Sequence, residues 1–224
     1  MVCNIFLDAG GVILDEKNFE TLYASSITGI IQTYNKKYTT ENYRSDADEA
    51  VYRYVPRVYN YILYKNIGNA GEFKKAKELL KEKTIPDNKF VLMDGLEEFL
   101  IRFSKHFSIG ILGQYGKEFK NFLYECNLLR YFTYSEIQDD YSVTKPDPRY
   151  FEAILKHCKC KAPESVMIGD RIDKDIIPAK AVGMKTIRLA AGLHKNQEPR
   201  TPDEIPDLTV ERLADITVEM IKAF

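Results

Sequence analysis

A buried β-strand that meets a loop is predicted by Val2-Cys3-Asn4-Ile5-Phe6-Leu7-Asp8-Ala9-Gly10-Gly11, an apolar stretch that ends at an aspartate and two glycines. Short apolar runs that stop at glycines are typical of strands that lead into a loop. A second apolar stretch, Val12-Ile13-Leu14, follows immediately. Beyond it the apolar residues take up helical spacing, so the first strand is separated in sequence from the later ones.

Strand-like segments return only after a long helical region. Apolar residues at helical spacing predict three or four helices and no strand between about Asn18 and Ile85. Beyond Pro86 strand and helix patterns alternate, and the last helix is predicted over about 210–224. The later strands are predicted over residues 108–112, 132–137, 165–168, 185–189 and 207–210.

Strands that alternate with helices favour a parallel sheet covered by helices on both faces. We therefore predict an α/β fold with a doubly wound, Rossmann-like core formed by residues 1–16 and 87–224. Residues 17–86 are predicted to form a separate α-helical domain inserted after the first strand.

Composition and charge exclude several classes of protein. The 224 residues are 45% hydrophobic and 29% charged, which is the composition of a globular protein. With 32 basic and 33 acidic residues there is no basic excess, so we expect no nucleic-acid partner. No apolar run approaches the roughly 18 residues of a membrane span, so we expect no membrane partner. Four scattered cysteines fit reduced thiols and a cytoplasmic location, and the oligomeric state is left open.

The ends of the predicted strands are the places to look for a site, because ligands of open α/β sheets bind outside the carboxyl ends of the strands. Each polar residue there has a structural alternative, since such positions also suit turn formers and helix caps. Their combination at successive strand ends is more specific than any one of them. The residues are Asp8, Gly113, Gln114, Lys145 in Lys145-Pro146-Asp147-Pro148, Asp170, Asp173 and Asp175.

Three motifs resemble those of the haloacid dehalogenase (HAD) superfamily, in its phosphatase-like branch with a helical cap after the first strand. They are Phe6–Val12, Lys145–Phe151 and Met167–Asp175, and Pro178–Thr186 continues the third. Together with the helical insert, the resemblance covers nearly the whole chain. It implies a HAD-type core with sheet order 5-4-1-2-3, a cap domain over residues 17–86, and hydrolysis of a small phosphorylated metabolite.

The resemblance also implies roles for the strand-end residues. Asp8 is expected to be the nucleophile, which forms an aspartyl-phosphate. Asp8, Asp170 and the backbone carbonyl of Gly10 are expected to bind Mg²⁺, with Asp175 acting through a water or orienting the other ligands. Lys145 is expected to contact both the nucleophile and the phosphate. Asp173 is a weaker candidate for a metal ligand.

Two positions depart from the family pattern. Phosphatases of the family usually have an acid/base Asp two residues after the nucleophile, and this chain has Gly10 there. Such a group contributes about 10²- to 10⁴-fold in rate, so its loss favours substrates with good leaving groups. The second strand usually ends at Ser or Thr, and here Gly113 leaves the phosphate to backbone N–H groups and to Gln114.

Two other functions stay open. Hydrolytic dehalogenation of a small haloacid would tolerate Gly10, because halide leaves without a proton. Dehalogenases of the family work without metal, however, whereas Asp170 and Asp175 favour one. The other possibility is a binding or regulatory protein that keeps the fold and has lost turnover.

Overall fold

The computed structural model describes residues 1–84, 90–113, 115–135 and 143–224. The chain divides into two compact units. One unit combines Met1–Asp15 with Phe90–Phe224, and the other is Glu16–Lys89.

The first unit is built on a parallel sheet of five strands in the order β2-β1-β3-β4-β5. The fold is therefore α/β, as predicted, and the first, second, fourth and fifth predicted strands are neighbours in the expected order. The strands are β1 Asn4–Leu7, β2 Ser108–Ile111, β3 Ser165–Gly169, β4 Lys185–Leu189 and β5 Leu208–Val210.

Helices cover both faces of the sheet. Alternate residues of a strand point to opposite faces, and in β1 Ile5 and Leu7 belong to one hydrophobic cluster while Phe6 belongs to another. Helices are numbered in chain order, and the first four belong to the second unit. The helices of the first unit are α5 Leu96–Phe103, α6 Lys117–Glu125, α7 Pro148–His157, α8 Ile177–Ala181 and α9 Val218–Lys222.

Two predicted elements are shorter than expected. The strand predicted over 132–137 is represented, among the described residues, by a single parallel bridge between Tyr134 and Gly110 of β2, and residues 136 and 137 lie outside them. The prediction of a long last helix over about 210–224 is wrong, because α9 starts only at Val218. The predicted range contains instead the 3-10 helix Leu213–Asp215, which ends at the extended residue Ile216. Thr217 then caps α9, and its side chain accepts a hydrogen bond from Met220 N at 3.2 Å.

The second unit is a helical cluster held by an apolar core and by a buried polar group. Asp46 is buried and accepts hydrogen bonds from Tyr38, Lys65 and Asn66 at 2.8, 2.6 and 2.7 Å. The helices are α1 Lys17–Gln32, α2 Thr40–Tyr52, α3 Val58–Ile67 and α4 Ala70–Thr84. Across the described residues of the whole chain, every helix is too short or too polar to cross a bilayer.

Candidate active site

Three carboxylates meet at the carboxyl ends of β1 and β3. Asp8 directly follows β1, Asp170 directly follows β3, and Asp175 lies in the π-helix Ile172–Ile176. One oxygen from each of the three carboxylates lies within 4.8 Å of the others. The sheet register explains the meeting of the first two, because Leu7 pairs with Ile168 and Asp8 N continues the ladder to Ile168 O at 2.9 Å.

Lys145 joins two of these carboxylates. Its Nζ lies 2.6 Å from Asp8 Oδ1 and 2.6 Å from Asp175 Oδ1. The Lys145 side chain is 9% exposed and that of Asp175 is fully buried. Charged groups this close in a dry site interact strongly. The ion pairs therefore hold the lysine at the strand ends although it is distant in sequence.

The Lys145-Pro146-Asp147-Pro148 segment also begins a helix, which is the structural role that turn and cap residues suggest. Asp147 is the N-cap of α7, and its Oδ1 accepts a hydrogen bond from Arg149 N at 2.9 Å. Pro148 occupies the first turn, where no N–H is needed. The helix start thus fixes the chain direction two residues after Lys145.

Three carboxylates lie close together, and the one ammonium group of Lys145 pairs with two of them. Burial and the neighbouring charge of Asp8 raise the pKa of Asp175. Burial alone would lower the pKa of Lys145, but the charges of Asp175 and Asp8 outweigh it and keep the pKa above its usual value. One carboxylate oxygen from each of the three residues lies within 4.8 Å of the others. The cluster is suited to a divalent cation with oxygen ligands, the preference of Mg²⁺.

Asp175 is oriented by the backbone as well as by Lys145. Its Oδ2 accepts a hydrogen bond from Arg171 N at 3.0 Å. Asp173 has a different environment, with Arg171 Nη2 2.7 Å from its Oδ2 and Gln197 Nε2 2.7 Å from its Oδ1. Asp173 is not a member of the acidic cluster among the described residues.

Gly113 lies against the nucleophile candidate. A Cβ at this position would come 2.9 Å from Asp8 Oδ1 and 3.0 Å from Ala9 N. The backbone carbonyl of Gly113 accepts a hydrogen bond from the Tyr150 hydroxyl at 3.4 Å. Gln114 lies outside the described residues. Gly10 forms an isolated bridge with Leu14 in the loop that follows β1.

Sequence reasoning missed residues that lie behind the acidic cluster. Gln197 is 1% exposed, and its Oε1 accepts a hydrogen bond from Ile172 N at 2.6 Å. Arg188 of β4 is buried and donates to His194 O at 2.8 Å and Lys195 O at 3.0 Å. His194 is buried beside cationic groups, and burial together with Arg171 lowers its pKa to about 3. None of these residues belongs to a sequence motif, so no local signal marks them.

Comparison with known proteins identifies chains that are similar to this one in sequence. The sequence model described as haloacid dehalogenase-like hydrolase matches residues 11–189. A protein named glyceraldehyde 3-phosphate phosphatase from Methanopyrus kandleri is 37% identical over 89 residues, which is 38% of this chain and 38% of that protein. The alignment thus spans little more than a third of that relative's length.

Two solved structures share the fold over nearly their whole length. One, described as a predicted phosphoglycolate phosphatase from Haemophilus somnus, has a TM-score of 0.68 at 18% identity and covers 96% of each chain. The other, a 2-haloacid dehalogenase from Pseudomonas syringae, has a TM-score of 0.59 at 17% identity and covers 100% of this chain and 99% of that one. Because a phosphatase and a dehalogenase both match, the fold alone does not distinguish between the two reactions.

The close contact between Gly169 and Asp175 supplies a test of the site's packing. A Cβ at Gly169 would lie 2.3 Å from Asp175 Cβ, so we expect Gly169→Ala to lower the free energy of unfolding by about 3 kcal/mol. Gly29→Ala is the control, because a Cβ there, in α1, meets nothing within 4 Å. This variant should be about 0.5–1 kcal/mol more stable than the wild type. Urea unfolding measures both, and a Gly169→Ala variant as stable as wild type would contradict the packing.

Proposed function

The chain belongs to the haloacid dehalogenase-like hydrolase family, and on this premise we propose that it is a Mg²⁺-dependent phosphatase of a small phosphorylated metabolite. The observation that supports the proposal is the position of Asp8 beside Asp170, Asp175 and Lys145 at the strand ends. The phosphatase name of the Methanopyrus kandleri relative points to the same reaction class.

Asp8 is the proposed nucleophile. Its carboxylate attacks the phosphorus atom, a bond forms between the carboxylate oxygen and phosphorus, and the bond to the leaving oxygen breaks. Water then attacks the aspartyl-phosphate, releases inorganic phosphate and restores Asp8. A carboxylate and a phosphate dianion repel each other, so the approach requires positive charge. Lys145, 2.6 Å from Asp8 Oδ1, provides one such charge at the reacting group.

The metal-binding part of the proposal assigns Asp8, Asp170 and the Gly10 carbonyl as direct ligands. Asp175 has a supporting role, because its two oxygens already accept hydrogen bonds from Lys145 and from Arg171 N. Mg²⁺ bound there would offset the negative charge of these carboxylates and polarise the phosphate. Gly113 N–H and Gln114 are proposed to bind the phosphate oxygens, as Lys145 does.

Gly10 restricts the substrate class. Without a carboxyl two residues after Asp8, the leaving oxygen departs without a proton from this position. We infer that good substrates have leaving groups that are comparatively stable as oxyanions, such as acyl phosphates, aryl phosphates or sugar 1-phosphates. The helical domain of residues 17–86 is proposed as the cap that selects among them, and the core is proposed as residues 1–16 and 87–224.

Dehalogenation is the second candidate, and the acidic cluster argues against it. A metal-free dehalogenase has no need for three carboxylates within 4.8 Å of one another. A protein that binds ligands without turnover would keep this cluster, so only an activity measurement separates it from a phosphatase. We also propose a cytoplasmic location, because none of the four cysteines, all within the described residues, forms a disulfide.

The main test is a panel of phosphorylated metabolites assayed with Mg²⁺ and with EDTA. We expect wild-type turnover only with Mg²⁺, and Asp8→Asn should show none, because the amide keeps the shape and removes the attacking charge. Beryllium fluoride should trap an aspartyl-phosphate analogue on the wild type and not on the variant. Asp203→Asn, an exposed aspartate in the 202–204 turn, is the matched control and should keep the wild-type rate. Metal-dependent turnover by Asp8→Asn would contradict the mechanism.

A series of aryl phosphates tests the consequence of Gly10. The wild-type rate should fall steeply as the pKa of the leaving phenol rises, because no proton reaches the leaving oxygen. Gly10→Asp should flatten this dependence and speed the poorest leaving groups by about 10²-fold or more. Thermal unfolding of both proteins controls for a change in stability. A wild-type rate that is already independent of leaving-group pKa would show that another residue supplies the proton.

Restoring the family hydroxyl at Gly113 is expected to impair this chain. Gly113→Ser adds a phosphate donor, but its Cβ would displace Asp8 or Ala9. A misplaced nucleophile lowers kcat/KM, here by roughly 10- to 100-fold. Gly113→Ala adds the same Cβ without the hydroxyl and should lose a similar factor. A Gly113→Ser variant faster than wild type would mean that the missing hydroxyl, and not the close approach, limits the rate.

A further inference from the structure

The segment between Asp170 and Asp175 is an unusual piece of backbone. Residues Ile172–Ile176 form a π-helix, a rare element that frequently occurs at functional sites. The first N–H groups of a helix have no partner within the helix and need one elsewhere. Arg171 N donates a hydrogen bond to Asp175 Oδ2 at 3.0 Å. The next donor, Ile172 N, also requires an acceptor.

Gln197 is the partner of that donor. Its Oε1 accepts from Ile172 N at 2.6 Å, and its Nε2 donates to Asp173 Oδ1 at 2.7 Å. Asp173 is itself paired with Arg171, at 2.7 Å between Nη2 and Oδ2. One amide side chain therefore binds both the backbone and a side chain of the short segment that separates two candidate metal ligands.

The amide group matches its two partners in both position and chemistry. Ile172 N is a donor and Asp173 Oδ1 is an acceptor, so only a side chain with one acceptor and one donor satisfies both. Gln197 is 1% exposed, which means that water cannot take its place without rearrangement. Its loop lies beyond β4, whose Arg188 donates to the carbonyls of His194 and Lys195 and so fixes the loop to the sheet.

We propose that Gln197 is a positioning residue for the metal site: it holds the Ile172–Ile176 turn so that the Asp175 carboxylate faces Asp8 and Asp170. It touches neither the substrate nor the metal and acts through the backbone of the turn. Partners behind metal ligands of this kind typically change metal affinity by 10- to 100-fold when they are removed. The inference rests on the proposed magnesium site.

The experiment measures Mg²⁺ binding to the purified protein by isothermal titration calorimetry, together with thermal unfolding. Gln197→Met keeps the length of the side chain and removes both hydrogen bonds, and we expect Mg²⁺ affinity to fall about tenfold or more. Thr186→Val is the matched control. Thr186 is buried near the amino end of β4 and donates to Asp207 Oδ2 at 2.8 Å, so its loss should lower the unfolding temperature and leave Mg²⁺ affinity unchanged.

If Gln197→Met does not fold, Gln197→Asn replaces it, because its amide is one methylene too short to reach both partners and should also weaken Mg²⁺ binding. Wild-type affinity in the folded Gln197 variant, with the stability loss that Thr186→Val also shows, would overturn the positioning role and leave the proposed function standing. Absence of Mg²⁺ binding by the wild type would overturn both, so the two failures are distinguishable.

Discussion

Parallel pairing of β1 with β2 and with β3 is the constraint on which the candidate site depends. Leu7 is level with Ile111 on one side and with Ile168 on the other, so the three strands end at the same edge of the sheet. All four residues of β1 are buried, which specifies its register strongly, since a shift by one residue would exchange the two faces. Asp8 and the segment that starts at Asp170 are adjacent because of this register.

Neighbouring carboxylates repel each other, and the ammonium group of Lys145 offsets part of this repulsion. Asp175 is fully buried, and a buried carboxylate without a partner would be strongly destabilising. Lys145 offsets part of this cost for Asp175 and for Asp8 at once. The close approach of three carboxylates is what gives the cluster its proposed affinity for a divalent cation.

Several features follow from local patterns and were predicted correctly. The alternation of strands and helices, the strand ends at Asp8 and Asp170, and the helix start after Lys145 all rest on periodicity and on turn and cap residues. Patterns of this kind are less reliable for short elements. Thr217 interrupts the segment predicted as one long last helix, and the strand over 132–137 has only the bridge at Tyr134 within the described residues.

By itself, the sequence determined the fold class and the residue types at the strand ends, because hydrophobic periodicity and turn chemistry act over a few neighbouring residues. The order of the central strands was expected only from the resemblance to a known family. Only the tertiary structure decided how those residues meet. Lys145 lies between Asp8 and Asp175 because a buried ammonium requires carboxylate partners, wherever they are in the chain. Gln197 contacts Ile172 through a hydrogen bond between residues 25 positions apart, which no local pattern encodes.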